Sequence, residues 1–158
     1  MQITKALEWM LPLVILSHIF EEFVFPGGFM KWYQNYKPSI SSSISPKFLI
    51  IVNVLLVLTA LNPINLGFTY ESMVCWLCIS SVLLVNAWFH INGTIRSKAF
   101  SPGLITSVLL YAPLALYGNW FFLSTGDVSI GICLLCLLPG IGYHLFSSLN
   151  HRRRATGL

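Results

Sequence analysis

His18, Glu21 and Glu22 lie inside the apolar run 13–25, which contains no Lys or Arg to neutralise either carboxylate. A carboxylate taken out of water must find a proton, a cation or hydrogen-bond donors. Ionisable residues at membrane depth therefore normally face an interior and mark function. At about 100° per residue, Glu21 and Glu22 fall on either side of His18, so all three can point toward the centre of a bundle. His and Glu at positions i and i+4 can chelate one metal, the geometry of helical zinc motifs in which a further Glu serves as base. The expected metal set is His18, Glu22 (or Glu21 in its place), His90 and His144, holding a divalent ion, zinc first and iron second. The carboxylate left over would act as base, and zinc in such a set activates water near neutral pH. That chemistry is a hydrolase working on a lipophilic or amphipathic substrate at the cytoplasmic membrane face. A di-iron centre is disfavoured, because such bundles use about four carboxylates and only Glu21 and Glu22 lie at depth here.

Two other chemistries use the same residues. Without a metal, Glu21, Glu22 and His18 could share a proton as acid and base, their pKa values separated by burial and repulsion. With Tyr111 as a further catalytic group, and Trp88 and Phe89 offering π faces to a cation, this set suits an isomerase, cyclase or epoxide-opening enzyme on a lipid or terpenoid. Buried Glu and His can also relay protons in an ion-coupled carrier. The chain, however, has few polar stepping stones in its other half and no inverted repeat.

The elements that must position these residues are membrane helices. The chain has 158 residues, 56% hydrophobic and 9% charged, with mean hydropathy +0.76. Soluble domains average about 25% charged residues, so the expected class is a single all-α transmembrane domain over residues 1–158. Five spans are expected, at about 6–25, 46–61, 72–91, 102–123 and 128–150. Ser101 reads as the N-cap of the fourth, with Pro102 at its first position. Lys31, Lys37 and Lys47 follow the first span, Arg96 and Lys98 the third, and Arg152, Arg153 and Arg154 the fifth. The other two connections carry Glu71 and Asp127. Only Lys5 departs from a pattern that places the N-terminus outside and the C-terminus in the cytoplasm. Trp9, Tyr70, Trp76 and Trp120 fit an outer aromatic belt. The formal charge of +4 is spread over loops and tail with no basic face, so no nucleic-acid partner is expected.

This topology collects polar groups at one depth. His18 and Glu22 lie near the cytoplasmic end of the first span, Asn53 in the second, and Asn86 and His90 in the third. Thr106, Ser107 and Tyr111 follow in the fourth, and His144, Ser147 and Ser148 in the fifth. Asn53, Asn86 and Trp88 are the expected substrate-binding residues. His151 reads as a histidine bonded to backbone. Cys75/Cys78 and Cys133/Cys136 form two C-x-x-C pairs inside apolar helices, where Cys serves as a small packing residue and thiol exchange is the alternative.

His18-Ile-Phe-Glu21-Glu22 resembles the signature of the HXXEE family of small polytopic bacterial membrane proteins. Phe25-Pro26-Gly27-Gly28-Phe29, Asn86-Ala-Trp-Phe-His90 and Ser101-Pro102-Gly103-Leu104-Ile105-Thr106 are similar to that family as well. The resemblance implies a multi-pass protein of the bacterial inner membrane, with metal binding or enzymatic activity suspected and no substrate defined. The partners it leaves are membrane lipid, a small lipophilic or amphipathic substrate and, as the commonest oligomer, a second copy in a homodimer.

Overall fold

The computed structural model describes residues 2–43, 45–67 and 69–156. Its elements are α1 (Gln2–Phe23), α2 (Phe29–Tyr36), a 3₁₀ turn (Pro38–Ser43), α3 (Pro46–Ala60), α4 (Asn62–Leu66), α5 (Tyr70–Ser97), α6 (Leu104–Thr106), a π-helical segment (Ser107–Tyr111), α7 (Ala112–Ser124), α8 (Ile130–Leu135) and α9 (Leu138–Thr156). Among the described residues there is no strand. Four helical stretches are long and apolar enough to cross a membrane: Pro46–Leu66, Tyr70–Ser97, Leu104–Ser124 and Ile130–Arg154. The protein is thus a multi-pass helical membrane protein.

The first of the five expected spans, α1, is not among them. Lys5 and Glu8 near its start, with Glu21 and Glu22 near its end, leave only the run 9–20 free of charge. Twelve residues rise roughly 18 Å, short of a hydrocarbon core of about 30 Å.

Local sequence explains the helix boundaries. Ser45, Thr69 and Ser129 cap α3, α5 and α8, their hydroxyls accepting from the N–H of Phe48, Ser72 and Ile132 at 3.2, 3.2 and 3.3 Å. Each satisfies one donor that a helix start leaves unpaired. The fourth cap differs from expectation. Ser101 does not cap α6; Gly103 does, with φ 99°, a left-handed conformation that favours glycine. The Ser101 hydroxyl is drawn away to His90. Pro113 lies in the first turn of α7, immediately after the π-helical segment. A proline ring clashes with the carbonyl four residues earlier, here Leu109, and the wider π turn accommodates it. Pro139 falls in the first turn of α9, which restarts after α8 ends at Leu135.

Helix α5 occupies the middle of the bundle, packed against α9, the π-helical segment, α7 and α4. The main core joins Leu7, Leu11 and Ile15 of α1 to Trp76, Leu77 and Leu83 of α5 and Tyr111 of the π segment. Trp76, expected at the outer surface, is instead fully buried and donates its indole N–H to the Leu7 carbonyl at 2.9 Å. A Cβ at Gly118 would overlap that indole, so glycine lets α7 close on it. Trp9, Tyr70 and Trp120 are exposed. Phe29, Trp32 and Tyr33 of α2 form a second buried cluster, with Trp32 packed over Gly93 of α5. Gly140 brings α9 against α5: its N–H donates to Ser81 Oγ at 3.1 Å, and a Cβ there would overlap the Ser81 carbonyl. Gly142 has open space around it.

These two glycines give a paired test of the bundle. Gly140→Ala forces α9 off α5 and is expected to lower stability by about 1–3 kcal/mol, the usual effect of overpacking. Gly142→Ala in the same helix is expected to leave the thermal midpoint in detergent unchanged or slightly raised. Equal midpoints for the two variants would refute this account of α5–α9 packing.

Candidate functional site

The site is assembled where the end of α1, the last third of α5 and the start of α6 meet. His18 and Glu22 lie one turn apart on α1 and share a face. His90 comes from α5. All three are buried, and their ligand atoms lie within 4.8 Å of one another. Glu22 Oε1 is 3.5 Å from His18 Nε2 and 3.2 Å from His90 Nε2. The His90 contact is close but poorly aligned, and His90 Nε2 makes no hydrogen bond. The two imidazoles meet edge to face with centroids 4.9 Å apart.

The other nitrogen of each ring is held by a hydroxyl. His90 Nδ1 lies 2.8 Å from Ser101 Oγ, and His18 Nδ1 lies 2.8 Å from Thr106 Oγ1. Thr106 has a single hydroxyl proton, which it donates to Glu21 Oε2 at 2.5 Å. Its oxygen must then accept from His18, which puts the His18 proton on Nδ1 and leaves Nε2 as a lone pair facing Glu22. Asn86 Nδ2, 3.1 Å from His18 Nε2, fits that assignment as a donor. Tyr111, buried, stacks on His18 with centroids 4.3 Å apart.

Glu21 has a different environment from its neighbour. It accepts from the backbone N–H of Ile105 at 3.0 Å and of Thr106 at 2.7 Å, in addition to the Thr106 hydroxyl. Both oxygens are occupied at the start of the Leu104–Ser124 helix, where orphan N–H groups and the helix dipole favour an anion. It is a tether between α1 and α6. Gly103 closes the site from above: a Cβ there would stand 2.7 Å from Cε1 of both His18 and His90 and 3.1 Å from Glu22 Cγ.

Glu22 also reaches a cavity of about 140 Å³ that leads from the cluster toward the basic end of the bundle, past Asn53, Asn86, His144, Ser147 and Lys37. His144, expected as a fourth ligand, is on this cavity wall and outside the converging set of three. Its Nε2 is buried without a hydrogen-bond partner. Trp88, expected to bind substrate, is 65% exposed and lines no part of the cavity. Two residues after Asn86, it is turned roughly 200° around α5. Asn53 lines the cavity, and so does His151, whose ring packs edge to face on Phe48 at 5.3 Å. At the mouth, burial together with Arg152 and Arg96 pulls the Lys37 ammonium below the ordinary lysine range, and burial pushes the Tyr33 phenol up to about 12. The cysteines belong to the core: Cys133 and Cys136 are buried, with Cys75 and Cys78 packed against the same cluster.

Sequence reasoning assigned Ser101 only a capping role and Gly103 none. The only signal for them was the stretch Ser101–Thr106, similar to the family but silent about which histidine its first hydroxyl meets.

Fold and site together define a multi-pass helical membrane protein with a buried two-histidine, one-carboxylate cluster at one end of its bundle. The chain belongs to the HXXEE family, described as proteins of unknown function with an HXXEE motif, whose profile matches residues 9–118. The matched region holds His18, Glu22, Asn86, His90, Ser101, Thr106 and Tyr111, and stops before α8 and α9, which supply His144. No curated protein and no solved structure matches the chain.

Two substitutions separate the tether from the cluster. Glu21→Gln removes charge-assisted bonds to two backbone donors and is expected to lower stability by about 1–3 kcal/mol, read as a drop in thermal midpoint. Gly103→Ala drives a methyl group between the two imidazoles at a left-handed backbone position. It is expected to destabilise at least as much as Glu21→Gln, and a neutral outcome would show that the rings are not packed on this loop.

Proposed function

We propose that His18, Glu22 and His90 hold one divalent metal, zinc first, and that the protein is a membrane hydrolase acting on an amphipathic substrate. The observation that carries this reading is the convergence of two imidazole Nε2 atoms on one carboxylate oxygen, with both Nδ1 atoms bound to hydroxyls. Two of the three ligand-atom separations suit such an ion, and the third is within 4.8 Å. Bonds of about 2.0–2.2 Å in tetrahedral geometry place ligand atoms roughly 3.3–3.6 Å apart, against 3.5 and 3.2 Å here. The His18–Thr106–Glu21 chain resembles the outer partners that fix the tautomer of metal-bound histidines. The Asn86 amide, rotated by half a turn, would bring an oxygen to the position its nitrogen now occupies beside His18.

When bound, zinc supplies a Lewis acid and lowers the pKa of water. The protein's own groups do the rest. Glu21 is committed to the α6 backbone, so Glu22 is the carboxylate free to ligate. His144, on the cavity wall with Nε2 unpaired, is the group assigned to take up and return a proton. Tyr111 holds the plane of His18 by stacking. The Asn86 donor to His18 Nε2 also favours a second reading, in which His18, Glu22 and His90 work as a metal-free acid–base relay on a lipid or terpenoid.

The basic residues support an orientation. Lys37 lies within electrostatic reach of Arg152 and Arg96, and the Arg154 guanidinium sits 4.9 Å over the Phe48 ring. The α2–α3 connection, the end of α5 and the tail therefore share one end of the bundle, which we assign to the cytoplasmic face of a bacterial inner membrane.

Elemental analysis of the purified protein tests the metal. One divalent ion per chain is expected, lost in His18→Ala and His90→Ala while helicity is retained. Ser101→Ala and Thr106→Ala are expected to weaken metal affinity by about 10–100-fold, the usual effect of removing an outer partner. Metal-free protein with unaltered activity would instead select the acid–base relay.

A further inference from the structure

Beside the polar cavity lies a second depression with the opposite character. It is a groove of about 540 Å³ between α1, α2 and α3, walled by Leu16 and Ile19 on one side and Ile50, Val54 and Leu58 on the other. Leu16, Ile50, Val54 and Leu58 are exposed at its rim, so in a bilayer the groove faces hydrocarbon. Leu49 and Asn53 of α3 line both the groove and the polar cavity. The two volumes therefore border on the same turn of α3, apolar on one side and polar on the other.

The polar side holds a cation with no anion beside it among the described residues. Its only carboxylate is Glu22, already held between His18 and His90. Lys37 lines the cavity with its ammonium 5.5 Å from the Tyr36 ring and 5.9 Å from the Phe89 ring, and no carboxylate among the described residues pairs with it. Burial and the neighbouring Arg152 and Arg96 destabilise its charge, a cost that a bound anion would offset. Ser147 and Ser148 add hydroxyls on the same wall.

We propose that the substrate is a single-chain anionic lipid drawn from the bilayer, its tail in the groove between α1 and α3 and its charged head in the cavity against Lys37. Asn53, at the junction, marks the passage from tail to head. The proposal rests on the reading of the His18 cluster as the reactive centre, because Glu22 is the point at which cavity and cluster touch. Ligand sites of this kind combine apolar walls with a few placed polar groups, and a single chain can enter sideways from the membrane without crossing its headgroup layer.

Native mass spectrometry of the full chain in neutral detergent tests it, with palmitate, lysophosphatidate and methyl palmitate as probes. Both anionic lipids are expected to bind at least tenfold more tightly than the uncharged ester. Lys37→Gln is expected to erase that preference while leaving ester binding unchanged, and Val54→Trp, which fills the groove, to weaken all three. Metal content, measured on the same samples, is expected to equal that of the unmodified protein. Ester bound as well as the acids, or a preference that survives Lys37→Gln, overturns the lipid proposal whatever the metal content. The expected lipid pattern on metal-free protein overturns only the metal reading. If palmitate binds and lysophosphatidate does not, the head is a carboxylate and the proposal stands in that narrower form.

Discussion

The structure depends on the burial of Glu22 between two imidazoles. Removing a carboxylate from water costs several kcal/mol even after relaxation, and nothing in the α1 sequence alone repays it. His18, one turn earlier, faces it with an Nε2 lone pair, so repayment requires His90 to come from α5 and a proton or cation to be shared among the three. That requirement sets how closely α1 approaches α5. It also explains the glycine at 103, because the loop before α6 passes so near both rings that a methyl group has no room.

Two adjacent carboxylates thereby acquire separate tasks. A step of about 100° around the helix turns Glu21 toward the N–H groups that open the Leu104–Ser124 helix and Glu22 toward the imidazoles. The Thr106 hydroxyl links them, giving its proton to Glu21 and accepting from His18. Through that hydroxyl the tether sets the tautomer of His18, so fold stability and the state of the site share one set of atoms. The π-helical segment serves the same site: it absorbs the demands of Pro113 and delivers Tyr111 flat against His18.

Outside the cluster the molecule is built for lipid. Leu, Ile, Val and aromatic side chains cover the exposed faces of α1, α3 and α7, and the polar groups withdraw into a cavity that opens toward the basic end of the bundle. The chemistry open to this arrangement turns on the contrast between a carboxylate with both oxygens committed and one aimed at two histidine nitrogens.

Much of this was legible in the chain itself. Helical class, four of the five expected spans, and the gathering of polar residues at one depth follow from local properties: runs of apolar residues, capping hydroxyls, and the fixed rise and rotation of an α-helix. The pairing of His18 with Glu22 is equally local, because residues four apart share a helix face. What the chain could not reveal is how each helix is rotated and pressed against its neighbours. Tertiary packing turned Trp88 outward and Trp76 inward, left His144 outside the converging set of His18, Glu22 and His90, moved Ser101 from an expected cap to a histidine partner, and committed Glu21 to the α6 backbone. Each of these outcomes depends on contacts between residues far apart in sequence, and spacing along one helix carries no information about which face meets another.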